Sequence, residues 1–285
     1  MKKALHFVAS AVAWLLLLSG TAPLHAQMPF YTDDTSVTEP GKLHVEVFDE
    51  FDGLQSSQLP DLRQNTANVK LNFSPMRGVE LDVDAPYLEI YRAPTSGPSR
   101  GIGDTNLGAK WNVREAPPGS FLPAIAVSLY VELPTGDARQ ELGSGLTDYW
   151  LNFIMQTPIS DSTRVNVNLG LLFAGNTSTG AVGIQTRRGQ VYTGGISLLH
   201  DLTPKLTLGG ELYGGVSGRS GVDKTQLQAM FGAQYQVRNG LTLSLAVLGG
   251  KYGATPRIGG QIGFSLDLPD AFSASGSTQA AAPRQ

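Results

Sequence analysis

Beyond residue 40, apolar and polar residues alternate along most of the chain. The clearest case runs from Thr225 to Arg238, where Leu227, Phe231 and Tyr235 share one set of alternate positions and the other set is mostly glutamine. Successive side chains of a β-strand point to opposite faces, whereas a helix would mix the two sets. The alternation therefore predicts strands that each have one apolar and one polar face.

Twelve such stretches follow one another along the chain. They cover about 43–51, 65–73, 79–91, 104–114, 121–133, 146–157, 163–174, 190–200, 205–217, 224–237, 241–252 and 258–268. A strand that crosses a membrane needs about 9–11 residues, whereas strands of globular proteins average about 5–6. The lengths therefore favour membrane strands over those of a secreted β-sandwich, which is the alternative fold.

Short and long connections alternate between these stretches. The short ones have tight-turn compositions such as Asn239-Gly240, and longer ones cover roughly 52–64, 92–103, 134–145 and 175–189. Outer-membrane barrels have this asymmetry, with short periplasmic turns and long outer loops. Because lipid offers no hydrogen bonds to the backbone, the sheet must close. We predict an all-β, antiparallel, up-and-down transmembrane barrel of about 12 strands over 41–268.

The first residues form a targeting segment. Lys2 and Lys3 precede an apolar run over 7–18, and Ala26 is a small residue at a suitable cleavage position. The run is shorter than the roughly 20 residues that a spanning helix needs. We therefore predict a signal peptide over 1–26, export, and a location in the bacterial outer membrane.

The segments that flank the barrel are less regular. Residues 27–40 are predicted to form a periplasmic N-terminal segment, although they could instead plug the lumen. Residues 269–285 are rich in Ser, Ala and Gln and are predicted to be a disordered tail. The last strand, Gln261 to Leu268, resembles the insertion signal of bacterial barrel proteins, which implies the barrel-assembly machinery as a partner.

Composition agrees with this fold and excludes several functions. The 285 residues include 16% charged residues, 34 Gly and no Cys, with a net charge of -3. Average proteins carry about 25% charged residues, and a wall that faces hydrocarbon explains the low charge. The net charge gives no electrostatic reason to expect nucleic acid. The Gly101–Asn106 stretch lacks the third glycine of a dinucleotide motif and opens a strand, and we predict no cofactor or metal site.

If the apolar face contacts lipid, the polar face lines a lumen. The pore-lining candidates are Lys70, Glu80, Asp82, Asp84, Lys110, Arg114, Glu132, Asp148, Arg164, Glu211 and Gln234. Antiparallel pairing is expected to set Lys70 opposite Asp82, with Lys110 and Arg114 near Asp84 and Glu80. These charges could neutralise each other and brace the wall, or form a constriction that orients or selects solutes.

Two further expectations concern the strand faces. A bulge near Ala85-Pro86 is expected to turn Leu88 and Ile90 toward lipid. Aromatic residues near strand ends, among them Tyr87, Tyr149 and Trp150, suit the interfacial girdles of a membrane barrel.

Four segments carry a family resemblance. They are 29–34 (PFYTDD), 103–111 (GDTNLGAKW), 133–137 (LPTGD) and 143–149 (GSGLTDY). In order and spacing they resemble a family of outer-membrane channels named for the meta-cleavage pathway of phenol degradation, over about 28–268. The resemblance implies a barrel linked to aromatic-compound catabolism, and it leaves the solute open.

The functional prediction is a channel for passive diffusion of small organic solutes, aromatic or apolar, without a covalent step. Its other partners would be outer-membrane lipid and lipopolysaccharide. The alternatives are a non-conducting structural or adhesin-like barrel, and a barrel hydrolase that uses His44 or His200 with a serine. No local spacing places a Ser or Asp beside either histidine, so the prediction is not an enzyme.

Overall fold

The alternating stretches form thirteen antiparallel strands that build one sheet. The computed structural model describes residues 28–93, 97–117, 120–176, 186–217 and 226–268. The signal peptide predicted over 1–26 and the tail predicted over 269–285 lie outside the described residues. The strands are β1 (Leu43–Gly53), β2 (Asp61–Met76), β3 (Val79–Arg92), β4 (Ser99–Ile102), β5 (Thr105–Arg114), β6 (Ala124–Leu133), β7 (Asp148–Ser160), β8 (Thr163–Asn176), β9 (Thr186–Thr203), β10 (Leu206–Ser217), β11 (Gln226–Arg238), β12 (Leu241–Gly250) and β13 (Ile258–Leu268).

The sheet closes on itself, which confirms the predicted barrel. Apart from β4 and β5, which both pair with β3, consecutive strands pair with each other, and the first strand pairs with the last from Leu43↔Leu268 to Gly53↔Ile258. β3 pairs with β4 over Tyr87–Ile90 and with β5 over Val79–Asp84, so these two short strands form one wall position interrupted at Gly103-Asp104. The ring therefore has twelve wall positions, the number predicted, and no free edge.

The outer face of the ring is apolar. Leu71, Leu107, Trp111, Phe153 and Phe231 are all more than a third exposed and occupy the outward positions of their strands. Alternate inward positions carry buried polar side chains such as Asn72, Glu80 and Lys110. A soluble sandwich would have the reverse arrangement, whereas a membrane barrel presents its apolar face to lipid. In the described part of the chain, no helix has the length and apolar character to cross a membrane.

The hairpin of β2 and β3 is longer than the sequence predicted. Lys70 pairs with Asp84 and Asn72 with Asp82, because the strands continue to Met76 and Val79 and leave a turn of only two residues, Arg77 and Gly78. The predicted pairing of Lys70 with Asp82 is therefore wrong by two residues. Across the next interface, Lys110 pairs with Glu80 as one of its expected partners, whereas Asp84 pairs with Asn106.

The bulge expected at Ala85-Pro86 is also wrong. β2 and β3 stay in register through Asn68↔Pro86 and Thr66↔Leu88. Leu88 and Ile90 consequently keep the inward positions of β3, where they are 2% and 4% exposed. They remain away from water because Leu142, from the connection between β6 and β7, packs against them.

One glycine of the wall makes room for an aromatic side chain in the lumen. A Cβ added to Gly108 in β5 would overlap the ring of Tyr130 and lie 2.8 Å from Asp82 Oδ2. Tyr130 donates from its hydroxyl to Asp82 Oδ2 at 2.9 Å. A side chain at position 108 would therefore break a buried polar contact as well as crowd the ring.

We expect Gly108→Ala to destabilise the barrel by about 1–3 kcal/mol, the usual cost of overpacking. The measurement is the temperature at which the folded band converts to the unfolded band on a gel. Gly194→Ala in β9 is the matched control, since its nearest neighbours would be 3.8 and 3.9 Å from the new Cβ. Equal conversion temperatures for the two variants would contradict the conclusion that Tyr130 and Asp82 leave no room for a side chain at position 108.

Candidate functional site

The N-terminal segment lies inside the ring of strands. Thr38 donates from its backbone N–H and hydroxyl to Glu80 Oε2 of β3, both at 2.6 Å, and Thr35 Oγ1 donates to Gln156 Oε1 of β7 at 2.9 Å. Thr32 N–H donates to Glu211 of β10. Because these strands stand on different sides of the ring, the segment that binds all of them must cross the lumen.

The sequence predicts that residues 27–40 lie in the periplasm, but the described residues 28–40 lie in the lumen. The inward faces of the strands carry many buried polar side chains, which need hydrogen-bond partners once water is excluded. The backbone and hydroxyl groups of the segment supply several of them. The alternative that the sequence left open, a plug in the lumen, describes the observed position.

Lys110 anchors the segment to the wall. Its side chain is 3% exposed, and its Nζ lies 3.0 Å from Asp33 Oδ1, 3.6 Å from Glu80 Oε1 and 3.5 Å from the Asp34 carbonyl oxygen. A buried ammonium group is costly unless it is paired and hydrogen-bonded. Asp33 comes from the segment and Glu80 from β3, so one lysine of β5 joins the segment to two strands.

A second attachment is aromatic. The Tyr31 hydroxyl donates to the Glu50 carboxylate, with distances of 2.6 and 2.8 Å to its two oxygens. The Tyr31 ring stacks on Tyr213 of β10 with ring centroids 5.8 Å apart. Phe30 packs with Met230 and other buried apolar residues of the far wall. The segment is therefore held by charge on one side of the lumen and by apolar contacts on the other.

Glycines on the inward face accommodate this segment. An added Cβ at Gly209 would lie 2.5 Å from the Phe30 ring, and one at Gly232 would lie 2.5 Å from Pro29. A larger residue at either position would occupy the space that the segment fills. Part of the glycine excess in the sequence is therefore explained by the space that the segment needs.

A cavity of about 330 Å³ lies against the segment, on the side of the long loops. Its apolar lining includes Phe30, Leu88, Leu142, Trp150 and Leu172. Its charged lining consists of seven carboxyl side chains and one amine, which are Asp33, Glu46, Glu50, Asp84, Asp104, Glu132, Asp148 and Lys70. The cavity thus combines an apolar and aromatic surface with an excess of acidic groups.

Nine of the eleven pore-lining candidates fall into three groups. Four line the cavity, and four bind the N-terminal segment or its lysine anchor, while Asp82 accepts from Tyr130. The first group is Lys70, Asp84, Glu132 and Asp148, and the second is Glu80, Lys110, Glu211 and Gln234.

The other two candidates lie away from the cavity, at the end of the short turns. Arg114 is exposed and donates to the Pro123 carbonyl at 3.1 and 2.7 Å, so its expected contact with Asp84 or Glu80 is not observed. Arg164 pairs with Asp201 at 3.0 Å. Both arginines brace the periplasmic rim, because each bonds to a residue next to its own strand end.

Sequence reasoning missed the apolar part of the cavity. The sequence predicts Trp150 in an interfacial girdle, but in the structure Trp150 shares the inward positions of β7 with Asp148 and Asn152. The sequence also predicts that Leu88 faces lipid, because leucine is apolar. In both cases the strand alternation alone gives the observed side, and only residue type argued against it.

The two histidines of the barrel have different partners. His44 Nδ1 contacts Asp267 Oδ1 and its Nε2 lies 3.6 Å from Glu46 Oε1, so both ring nitrogens face carboxylates. His200 is exposed and contacts Thr163 Oγ1 at 2.9 Å. Among the described residues, no group of three His, Cys, Asp or Glu side chains is arranged to hold a metal ion.

Comparisons with known proteins agree with this architecture. The family model described as "Putative MetA-pathway of phenol degradation" matches residues 40–268. An outer membrane channel from Pseudomonas putida F1 is similar in structure, with a TM-score of 0.63, 12% identity, and 82% of this chain and 98% of that chain covered. A comparison with curated proteins finds no match.

Two porin structures are also similar in fold. The NanC porin has a TM-score of 0.54 and 9% identity, with 79% of this chain and 100% of that chain covered. The KdgM porin has a TM-score of 0.50 and 10% identity, with 78% of this chain and 98% of that chain covered. At such low identities the similarity concerns the fold and does not indicate which solute this chain would pass.

We expect Lys110→Met to release the N-terminal segment. The substitution leaves Asp33 and Glu80 buried without a counter-charge, which typically costs about 3–5 kcal/mol. The measurement is the rate at which chymotrypsin cleaves after Phe30 or Tyr31 in the folded, detergent-solubilised protein. We expect a large increase in the cleavage rate of Lys110→Met. Adding Asp33→Asn and Glu80→Gln to this variant should lower the rate again in part.

Arg77→Ala is the control for this experiment. The Arg77–Glu115 ion pair is 3.2 Å long, but its side chains are 85% and 70% exposed, and such surface pairs contribute little. Its cleavage rate should equal that of the unmodified protein. Cleavage of Lys110→Met at that same rate would show that the lysine does not hold the segment.

Proposed function

Because the chain belongs to the family described by the phenol-degradation MetA-pathway model, we propose that it is an outer-membrane channel for passive diffusion of small organic solutes. The observation that supports this proposal most directly is the cavity in the lumen of a closed barrel. A barrel with only a structural role would not need a space of this kind. No covalent step is involved, and the solute moves down its gradient.

The lining of the cavity indicates which solutes suit it. Trp150, Leu88 and Leu172 offer a flat and apolar surface that fits a single ring or a short chain. Glu132 and Asp148 face each other across β6 and β7 next to this surface. Asp33 is paired with Lys110, and the six other carboxyl groups against Lys70 disfavour an anion, so the proposed solutes are neutral or cationic compounds with an aromatic or apolar body.

Neutral amides occur in both parts of the lumen. Gln234 binds the N-terminal segment, whereas five others lie beside the acidic groups of the cavity, namely Asn68, Asn106, Asn152, Asn168 and Gln261. We therefore propose that each of the two interpretations of the inward-facing charges applies to a different part of the lumen. The Lys110 cluster braces the segment, while the carboxylates around the cavity provide selection.

A non-conducting barrel is the second candidate, and the filled lumen favours it. Residues 28–40 bind strands on several sides of the ring, as described above, and block the periplasmic half. A channel must let this segment move, whereas a structural barrel would keep it in place. The two functions therefore differ in what removal of the segment does.

Conductance in planar bilayers separates these functions. We expect the full mature chain to conduct weakly and a variant lacking residues 28–40 to show discrete, larger conductance steps. In a salt gradient the reversal potential of that variant should indicate a preference for K⁺ over Cl⁻. Glu132→Gln combined with Asp148→Asn should reduce the preference, because two of the lining charges are removed.

Solute specificity can be read from the same recordings. Benzylammonium should interrupt the current of the shortened variant at lower concentration than benzoate, which has the same ring and the opposite charge. Ethylammonium controls for charge without a ring. Folding is verified by heat-dependent gel migration, and a folded shortened variant that passes no current would contradict the channel function.

A further inference from the structure

A buried carboxylate at the break in the wall holds the longest described loop. Asp104 lies between β4 and β5 and is 8% exposed. Its Oδ1 accepts from Gly136 N–H at 2.9 Å, and its Oδ2 accepts from Ser144 N–H at 2.7 Å. Both donors belong to the connection between β6 and β7, residues 134–147, which we name the inner-folded loop. The two oxygens of one carboxylate therefore bind the two ends of this loop.

Further contacts keep the inner-folded loop against the break. Thr135 Oγ1 donates to the Gly103 carbonyl at 2.8 Å and lies 2.9 Å from Thr105 Oγ1. Gly143 packs so closely on the Asp104 carboxylate that an added Cβ would overlap it. The loop thus fits around Asp104, with backbone N–H groups as its ligands.

The loop also closes the cavity. Leu142, near its middle, is 2% exposed and packs on Leu88 and Ile90. Leu142 and Asp104 both line the cavity. The segment 28–40 borders the opposite side of the same cavity, so the cavity lies between two pieces of chain that are not part of the wall.

Both pieces are attached to one stretch of the wall. Asp104 binds the inner-folded loop, and Lys110, six residues further on, binds Asp33 of the N-terminal segment. An even separation in a strand puts both side chains on the same face, about 20 Å apart at 3.3 Å per residue. The cavity lies between these two anchors.

We propose that the inner-folded loop is a gate on the outer side of the cavity and that Asp104 is the residue that holds it shut. Solutes from outside reach Leu172 and Trp150 only when the two hydrogen bonds to Asp104 are broken and Leu142 leaves Leu88. The inference rests on the proposed channel function, to which it adds the residue that controls outer access. The N-terminal segment is a separate closure, with Lys110 as its anchor.

The absence of cysteine from the sequence allows a direct test. Leu172→Cys places one thiol in the cavity, where Leu172 is 5% exposed. In intact cells, a membrane-impermeant maleimide should label this thiol slowly. We expect Asp104→Ala in the same background to raise the labelling rate at least tenfold, because the loop loses its acceptor.

Two controls accompany this measurement. Arg139→Ala changes an exposed side chain of the same loop and should leave the rate unchanged. Lys110→Met loosens the periplasmic closure and should not increase labelling from outside. Unchanged labelling in a folded Asp104→Ala variant would overturn the gate, as would equal increases in all three variants.

A second variant covers the case in which Asp104→Ala does not fold. Gly143→Ala keeps the carboxylate but pushes the loop away from it, and the same increase in labelling is expected. Labelling requires no ion current, so the gate and the channel function are tested separately. Faster labelling together with zero conductance of the shortened chain would support the gate and contradict the channel.

Discussion

The lumen of this barrel depends on one constraint: charges that the strand alternation turns inward must find partners away from water. Lys110 meets this constraint with Asp33 and Glu80, at 3.0 and 3.6 Å. A buried ammonium cannot be left unpaired without a large loss of stability. Because one of its two partners comes from outside the wall, the lysine fixes the path of residues 28–40, and the path of that segment determines how much of the lumen remains open.

The cavity follows from this path. Phe30 and Tyr31 rest against the wall beside Tyr213, and the space above them is enclosed by Leu88, Leu172 and Trp150. An apolar surface inside a barrel is unfavourable where water reaches it. Here the segment on one side and the loop that carries Leu142 on the other limit that exposure. The apolar lining and the two closures therefore depend on each other.

Strand alternation and loop rhythm were enough to predict the barrel, its twelve wall positions and the inward side of Glu80, Lys110 and Glu211. The β2–β3 register was missed because the strands continue to Met76 and Val79, so the turn is shorter than the sequence predicted and every pair is displaced by two residues. Leu88, Ile90 and Trp150 were missed because their residue types suggest lipid. Leu142, which packs on Leu88 and Ile90, is distant in sequence, and no local pattern predicts that its loop folds inward.

The four sequence segments that carry the family resemblance meet in the folded chain. The first, 29–34, supplies Asp33, which pairs with Lys110 of the second, 103–111. The second also supplies Asp104, which binds Gly136 of the third, 133–137, and Ser144 of the fourth, 143–149. Taken alone, the first segment is a short mixed stretch without glycine, and the other three are short stretches that contain glycine. Their contacts give these residues a purpose, since one wall strand attaches both pieces of chain that enclose the cavity. The resemblance therefore resides in the closures of the lumen more than in the lipid-facing wall, where any apolar side chain serves.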